Sequence, residues 1–220
     1  MKIKNIYFIK SLLVLFLIAM ISCDLEIQEE FKFEAEIPVL QGFPDLTAWD
    51  WIQTRTTPGA TNPAEYAGEE FDYLIEAIQI AGMESEFSSS DPNRTYILLN
   101  NNAFTGGGDI LELVTGSSTG NLQDADVELL KRLLQYHIVT TYIAQNDPLK
   151  VYGTYYSFQT LLPGSDGEIT FRRDERLRLY INDSPDLPST RANENVLRHN
   201  YVFKDGIGHI IQDYVRKVPF

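Results

Sequence analysis

Across Leu133–Val139, Leu-Leu-Gln-Tyr-His-Ile-Val, the apolar spacing of the chain changes from a helical period to a strand-like one. Upstream, Val127, Leu130, Leu133 and Leu134 recur at three and four residues, which places them on one helix face. Downstream, strand-forming runs occupy 138–143, 155–161, 168–172, 176–181, 196–203 and 207–215. One segment cannot satisfy both periods, so Tyr136 and His137 are expected to sit at a structural joint between helix and strand.

Before the joint, the pattern predicts helices. Asp45 or Thr47 is placed to cap a short one carrying Trp49 and Ile52 on one side. The turn-forming Thr56–Pro63 then breaks it. Phe71, Leu74, Ile75, Ile78 and Ala81 predict an amphipathic helix over 70–81 that Gly82 stops in a left-handed cap. Thr95–Leu99 reads as a strand, and Asn100–Asn102 can accept N–H groups at the start of a helix containing Ala103 and Phe104. Further helices are expected over 109–114 and after a cap at Asp124 or Asp126. The last strand pair is expected to turn tightly at Asp205-Gly206, because glycine accepts positive φ.

With 220 residues, the chain is long enough for one core but short for two ordinary domains. Lys2, Lys4 and Lys10 precede an apolar run, Leu12–Ile21, that is too short for the roughly 20 residues needed to span a bilayer. Residues 1–22 therefore read as a signal peptide. Met20-Ile21-Ser22-Cys23 resembles a bacterial lipobox, which makes Cys23 the expected lipidation site and residues 23–45 an acidic tether. More than one acyl chain is needed for stable anchoring. The lipobox resemblance implies a membrane-anchored bacterial lipoprotein, and the acidic residues directly after Cys23 resemble the export signals with which some Gram-negative bacteria send lipoproteins to the outer membrane or cell surface.

Cys23 is the only cysteine, so neither an internal disulfide nor a cysteine metal site can form. All 31 acidic residues follow the leader, and the net charge of the whole chain is −13. Nucleic acid is therefore not an expected partner, because phosphate neutralisation needs clustered Lys and Arg.

Four separated stretches together resemble the fasciclin (FAS1) family. Phe71–Ala77 with Ala81-Gly82-Met83 resembles the opening helix, and Tyr96–Phe104 is similar to the first motif. Leu134–Val139 resembles the Tyr-His motif, and Asp205–Asp213 resembles the closing one. Leu99 departs from the usual proline of the first motif, and Gly208 from an apolar residue of the last. The resemblance covers roughly 46–220 as one domain. It implies an α+β fold, a β-wedge or sandwich with packed helices, usually extracellular and associated with adhesion or matrix binding. By position it assigns a binding contact to Tyr136 and His137, and motif roles to Asn101, Phe104, Asp205, Gly206 and His209.

The residues themselves favour structural roles for this set. Tyr136 and His137 end an apolar helix face, so Tyr136 is expected in the core and His137 bonded to a neighbouring motif, with Asn101 as the candidate partner. His137, His199 and His209 match no compact ligand spacing, so no metal is expected. Gly116-Ser117-Ser118-Thr119-Gly120 satisfies a nucleophile-elbow pattern but lacks the strand before it and the helix after it. Gly106-Gly107-Gly108 has no accompanying Walker lysine and is followed by Asp109, which would repel phosphate. Neither a catalytic residue nor a cofactor is expected. Among Tyr152, Tyr155, Tyr156 and Phe158, strand alternation would bury about half and leave the others to contact sugars or proteins. The sequence thus points to a non-enzymatic surface domain binding an extracellular protein or polysaccharide. The alternative is a glycan-binding accessory lipoprotein of a nutrient-uptake system.

Overall fold

The computed structural model describes residues 41–57 and 68–220. The leader 1–22, Cys23, the tether as far as residue 40 and part of the Thr56–Pro63 loop lie outside the described residues.

The first elements surround one aromatic cluster. β1 (Gln41–Phe43) lies parallel to Tyr201–Phe203, so the folded unit reaches back beyond the expected start at Leu46. Thr47 forms a capping box with Asp50 and starts α1 (Ala48–Gln53), which buries Ala48, Trp51 and Ile52. The buried face is therefore centred on Trp51 rather than Trp49. The Trp51 ring lies 5.0 Å from Tyr201, 5.3 Å from Phe203 and 5.6 Å from both Phe43 and Phe71. Aromatic rings at these separations add to the energy of area burial.

Next come α2 (Asp72–Ala81), closed by Gly82 at φ 62°, and β2 (Arg94–Leu99), whose last five residues are all buried. Asn100 caps α3 (Asn101–Thr105), and α4 (Ile110–Thr115) follows. The side chain of Asp126 accepts N–H bonds from Glu128 and Leu129 and starts α5 (Val127–Tyr136). The apolar stripe of α5, Leu130, Leu133 and Leu134, is buried, and α5 packs against α2.

The strand expected over 138–143 is only β3 (Ile138–Val139). Past Val139 the side chain of its ladder partner Thr95 takes over from the backbone: Oγ1 accepts the Ile143 N–H at 2.8 Å and donates to the Thr141 carbonyl at 2.7 Å. Then follow β4 (Tyr156–Gln159), β5 (Glu168–Arg173), β6 (Leu179–Ile181), β7 (Glu194–Asn195), β8 (Arg198–Phe203) and β9 (Gly206–Ile211).

These strands form a mixed five-stranded sheet, ordered β1-β8-β9-β2-β3, and an antiparallel four-stranded sheet, β4-β5-β6-β7. β9 lies between β8 and β2 and is buried along its whole length, as expected for a strand covered on both faces. β3 joins the sheets: Val139 pairs with Thr95 on β2 and bridges to Thr160, while Leu161 N–H donates to the Ile138 carbonyl at 2.8 Å. Together they make a single-domain α+β fold with helices packed on β-sheets.

Candidate functional site

Tyr136 and His137 are both fully buried at this joint. The Tyr136 hydroxyl donates to the Glu168 carbonyl at 3.0 Å and accepts from Asn182 Nδ2 at 2.9 Å. Burial pushes its phenol pKa up. Phe220 meets the Tyr136 ring edge-on at 5.8 Å. In this structure neither motif side chain offers a surface to a partner.

His137 is engaged at both ring nitrogens. Val215 N–H donates to Nε2 at 3.2 Å, so the proton is on Nδ1, which donates to the Leu133 carbonyl at 2.7 Å. Burial lowers its pKa to about 4, against a smaller opposing effect of the Leu133 bond. The expected partner, Asn101, is elsewhere. Its Nδ2 donates to Asp72 at 2.7 Å and its Oδ1 accepts Tyr73 N–H at 3.3 Å, which ties α3 to the start of α2. The correction follows from topology: the segment around Val215 returns to the end of α5, whereas Asn101 starts a helix facing α2. Phe104 is buried and stacks on Tyr73 at 5.6 Å.

The closing motif is also a fastening. Asp205 accepts the first N–H of α1, from Ala48, and the Tyr96 hydroxyl, each at 2.8 Å. Burial raises the carboxyl pKa, partly offset by these bonds. The hairpin turn is Lys204-Asp205 rather than Asp205-Gly206, because Gly206 already pairs with Phe203. Gly206 is needed for another reason: at φ 147°, a Cβ there would stand 2.2 Å from the Arg94 carbonyl. Gly208 lacks an apolar side chain because Phe203 and Leu98 fill that space, 2.7 and 3.0 Å from where its Cβ would stand.

His209 mirrors His137. Asn200 N–H donates to Nδ1 at 3.3 Å, so Nε2 donates to the Ile143 carbonyl at 2.7 Å. Burial lowers its pKa to about 4. His199, half-buried, contacts Gln145 at 3.0 Å. Among the described residues there is no group of three or more His, Cys, Asp or Glu placed to hold a metal. Ser117 lies in an exposed turn after α4, where its Oγ contacts Thr119 Oγ1, so the strand–nucleophile–helix context is absent around it.

The surface groups are elsewhere. A cleft of about 380 Å³ is lined by Asn102, Gly106, Gly107, Glu194, Gln212 and Asp213. Burial, and then the charge of Asp213, raise the pKa of Glu194, so the glycine turn faces carboxylates and offers no anion site. Another cleft, about 390 Å³, includes Ser157, Gln159, Ser165 and Glu168. Within β4, Tyr156 and Phe158 share one half-buried face, as alternation requires, whereas Tyr152 and Tyr155 precede the strand and are exposed in the loop. The Arg172 guanidinium lies over the Tyr155 and Tyr180 rings and pairs with Asp183.

Asn182, Arg172 and Tyr180 were not among the sequence candidates. Asn182 occupies positive φ, 57°, a conformation asparagine tolerates better than most residues, but its partner Tyr136 is not readable without the fold. Arg172 and Tyr180 become neighbours only through the β5–β6 register.

The fasciclin domain profile matches residues 69–215. A solved structure of a FAS1 domain pair from the insect cell adhesion molecule fasciclin I is similar at 14% identity and a TM-score of 0.50. The match covers 78% of this chain and 51% of that one, so this chain spans about half the length of the insect pair. The comparison with curated proteins returns no match.

Proposed function

This chain belongs to the fasciclin domain family, and on that premise we propose that it is a non-enzymatic surface lipoprotein that attaches to an extracellular polymer or protein. One observation supports the reading most. The polar groups of Tyr136, His137, Asn101, Asp205 and His209 are engaged within the domain, while Val151, Tyr152 and Tyr155 face solvent. The motif residues thus serve the fold, and contact falls to the aromatic loop.

In this reading the leader 1–22 is removed, Cys23 carries the lipid and the acidic segment before β1 tethers the domain at the outer membrane or outer surface of a Gram-negative cell. The alternative, a glycan-binding accessory lipoprotein of a nutrient-uptake system, is favoured by the exposed Tyr152 and Tyr155.

Cells expressing the full chain, or its Cys23→Ser variant, test the proposal by fractionation, protease shaving and attachment to immobilised matrix proteins and polysaccharides. The full chain is expected in the membrane fraction, accessible to protease and able to confer attachment, and the variant is expected to lose all three. Protection from protease in intact cells, or turnover of a metabolite by the purified protein, would overturn it.

A further inference from the structure

We propose that the loop Val151–Tyr155, with the row Tyr155–Arg172–Tyr180 beside it, docks an anionic polysaccharide of the uronic-acid type; the proposal rests on the binding reading above and names its surface and ligand class.

The loop is exposed yet fastened. Val151 is 58% exposed, Tyr152 63% and Tyr155 40%, so three of the five large exposed hydrophobic residues among the described ones fall within one short loop. Scattered exposed apolar side chains are ordinary, but a cluster marks an interaction surface. The Arg173 side chain donates to the Leu149 and Lys150 carbonyls. Gly153 N–H returns to the Arg173 carbonyl at 2.9 Å, and Val151 N–H donates to the Tyr156 hydroxyl at 3.0 Å. A backbone held in this way presents its side chains with little ordering left to cost affinity on binding.

The neighbouring strands continue the surface as alternating ring and cation. The Arg172 guanidinium carbon is 4.1 Å from the Tyr180 ring centroid and 5.7 Å from that of Tyr155, and Asp183 holds it there through Nε at 2.8 Å. Arg178 approaches the Tyr180 ring at 5.8 Å.

Charge selects the ligand. Residues 149–156 and 171–183 carry Lys150, Arg172, Arg173, Arg176 and Arg178 against Asp174, Glu175 and Asp183, a local positive excess on a chain of net charge −13. Lys150, next to the loop in sequence, and Arg176, in the turn after β5, are exposed. Arg172 is paired with Asp183, Arg178 with Asp174 and Arg173 with the Leu149 and Lys150 carbonyls. Each unit of a uronic-acid polymer therefore has an apolar pyranose face to lie on a tyrosine ring and a carboxylate for Lys150 and Arg176. The acidic remainder of the chain repels such a polymer and confines it to this surface.

Calorimetric titration of the full-length protein with polygalacturonate, neutral dextran and polyglutamate tests the assignment. Polygalacturonate is expected to bind at least about tenfold tighter than either control. Y152A/Y155A, and separately Lys150→Glu, are expected to weaken it about tenfold or more with an unchanged melting temperature, while Val127→Ala leaves it intact. No binding to polygalacturonate, equal binding to dextran or polyglutamate, or undiminished binding by the tyrosine pair variant would overturn the proposal. Attachment of cells to a protein matrix that persists alongside such a result would leave the broader binding function standing.

Discussion

Asn182 donates its side-chain amide to the Tyr136 hydroxyl at 2.9 Å, across 46 residues of sequence. Its Oδ1 also accepts the Thr170 N–H at 3.0 Å. One asparagine at positive φ thus fastens the end of α5 to β5 of the four-stranded sheet, and the Tyr136 hydroxyl completes the fastening at Glu168.

Tyr136→Phe keeps the ring and removes the hydroxyl that serves Asn182 and Glu168. The expected cost is about 1–3 kcal/mol, because the groups left buried lose their partner. Urea denaturation should show a lower midpoint at unchanged m, and an unchanged midpoint would contradict the role assigned to the hydroxyl.

Acid should destabilise the domain through His137 and His209. Burial lowers both pKa values from 6.5 to about 4, so between those values the unfolded chain binds more protons than the folded one. Stability is then fullest above about pH 6.5 and falls as pH drops toward 4, by on the order of 3 kcal/mol per histidine. The raised carboxyl pKa of Asp205 works in the opposite direction, stabilising the fold as it takes up its proton. Denaturation across this pH range, repeated on His137→Gln, separates the contributions: the variant should have a shallower slope.

Tyr96 and Asp205 should be energetically coupled. In a double-mutant cycle of Tyr96→Phe and Asp205→Ala, the coupling is expected at about 0.5–3 kcal/mol, since each change strands the other partner in a buried site. Strict additivity would show that Asp205 acts only on α1, through the Ala48 N–H.

Gly206→Ala should be the most damaging of these changes for its size. The added methyl group meets the Arg94 carbonyl at 2.2 Å at a φ that L-residues rarely adopt, and β2 and β9 must separate to relieve it. The cost is expected to be about 3 kcal/mol, combining strain with overpacking. Soluble yield and the denaturation midpoint both measure it.

Local patterns identified most of the helices. Thr47, Asn100 and Asp126 cap where short polar side chains can accept N–H groups, and Gly82 stops α2, because capping depends on neighbours within a turn. Strand ends were less legible. The run 138–143 is apolar enough for a longer strand, but a threonine on β2, Thr95, takes over the hydrogen bonding of its second half. The edge strands β1 and β7 carry no alternating pattern, being two or three residues long, and they exist only where a partner ladder already stands.

The candidate site followed the same division. The half-burial of Tyr156 and Phe158 on one face of β4 agrees with alternation, whereas Tyr152 and Tyr155 are exposed because the chain there is a loop. The placement of Arg172 between two tyrosine rings depends on β5–β6 register, which local spacing does not specify.

By itself the sequence determined the family, the order of helices and strands, and the joint at Leu133–Val139, because periodicity, caps and motif order are properties of near neighbours along the chain. Only the tertiary structure decided what the joint holds: His137 meets Val215 rather than Asn101, and Tyr136 meets Asn182. Buried polar groups must find partners wherever the fold brings the backbone back, and that return is set by sheet topology.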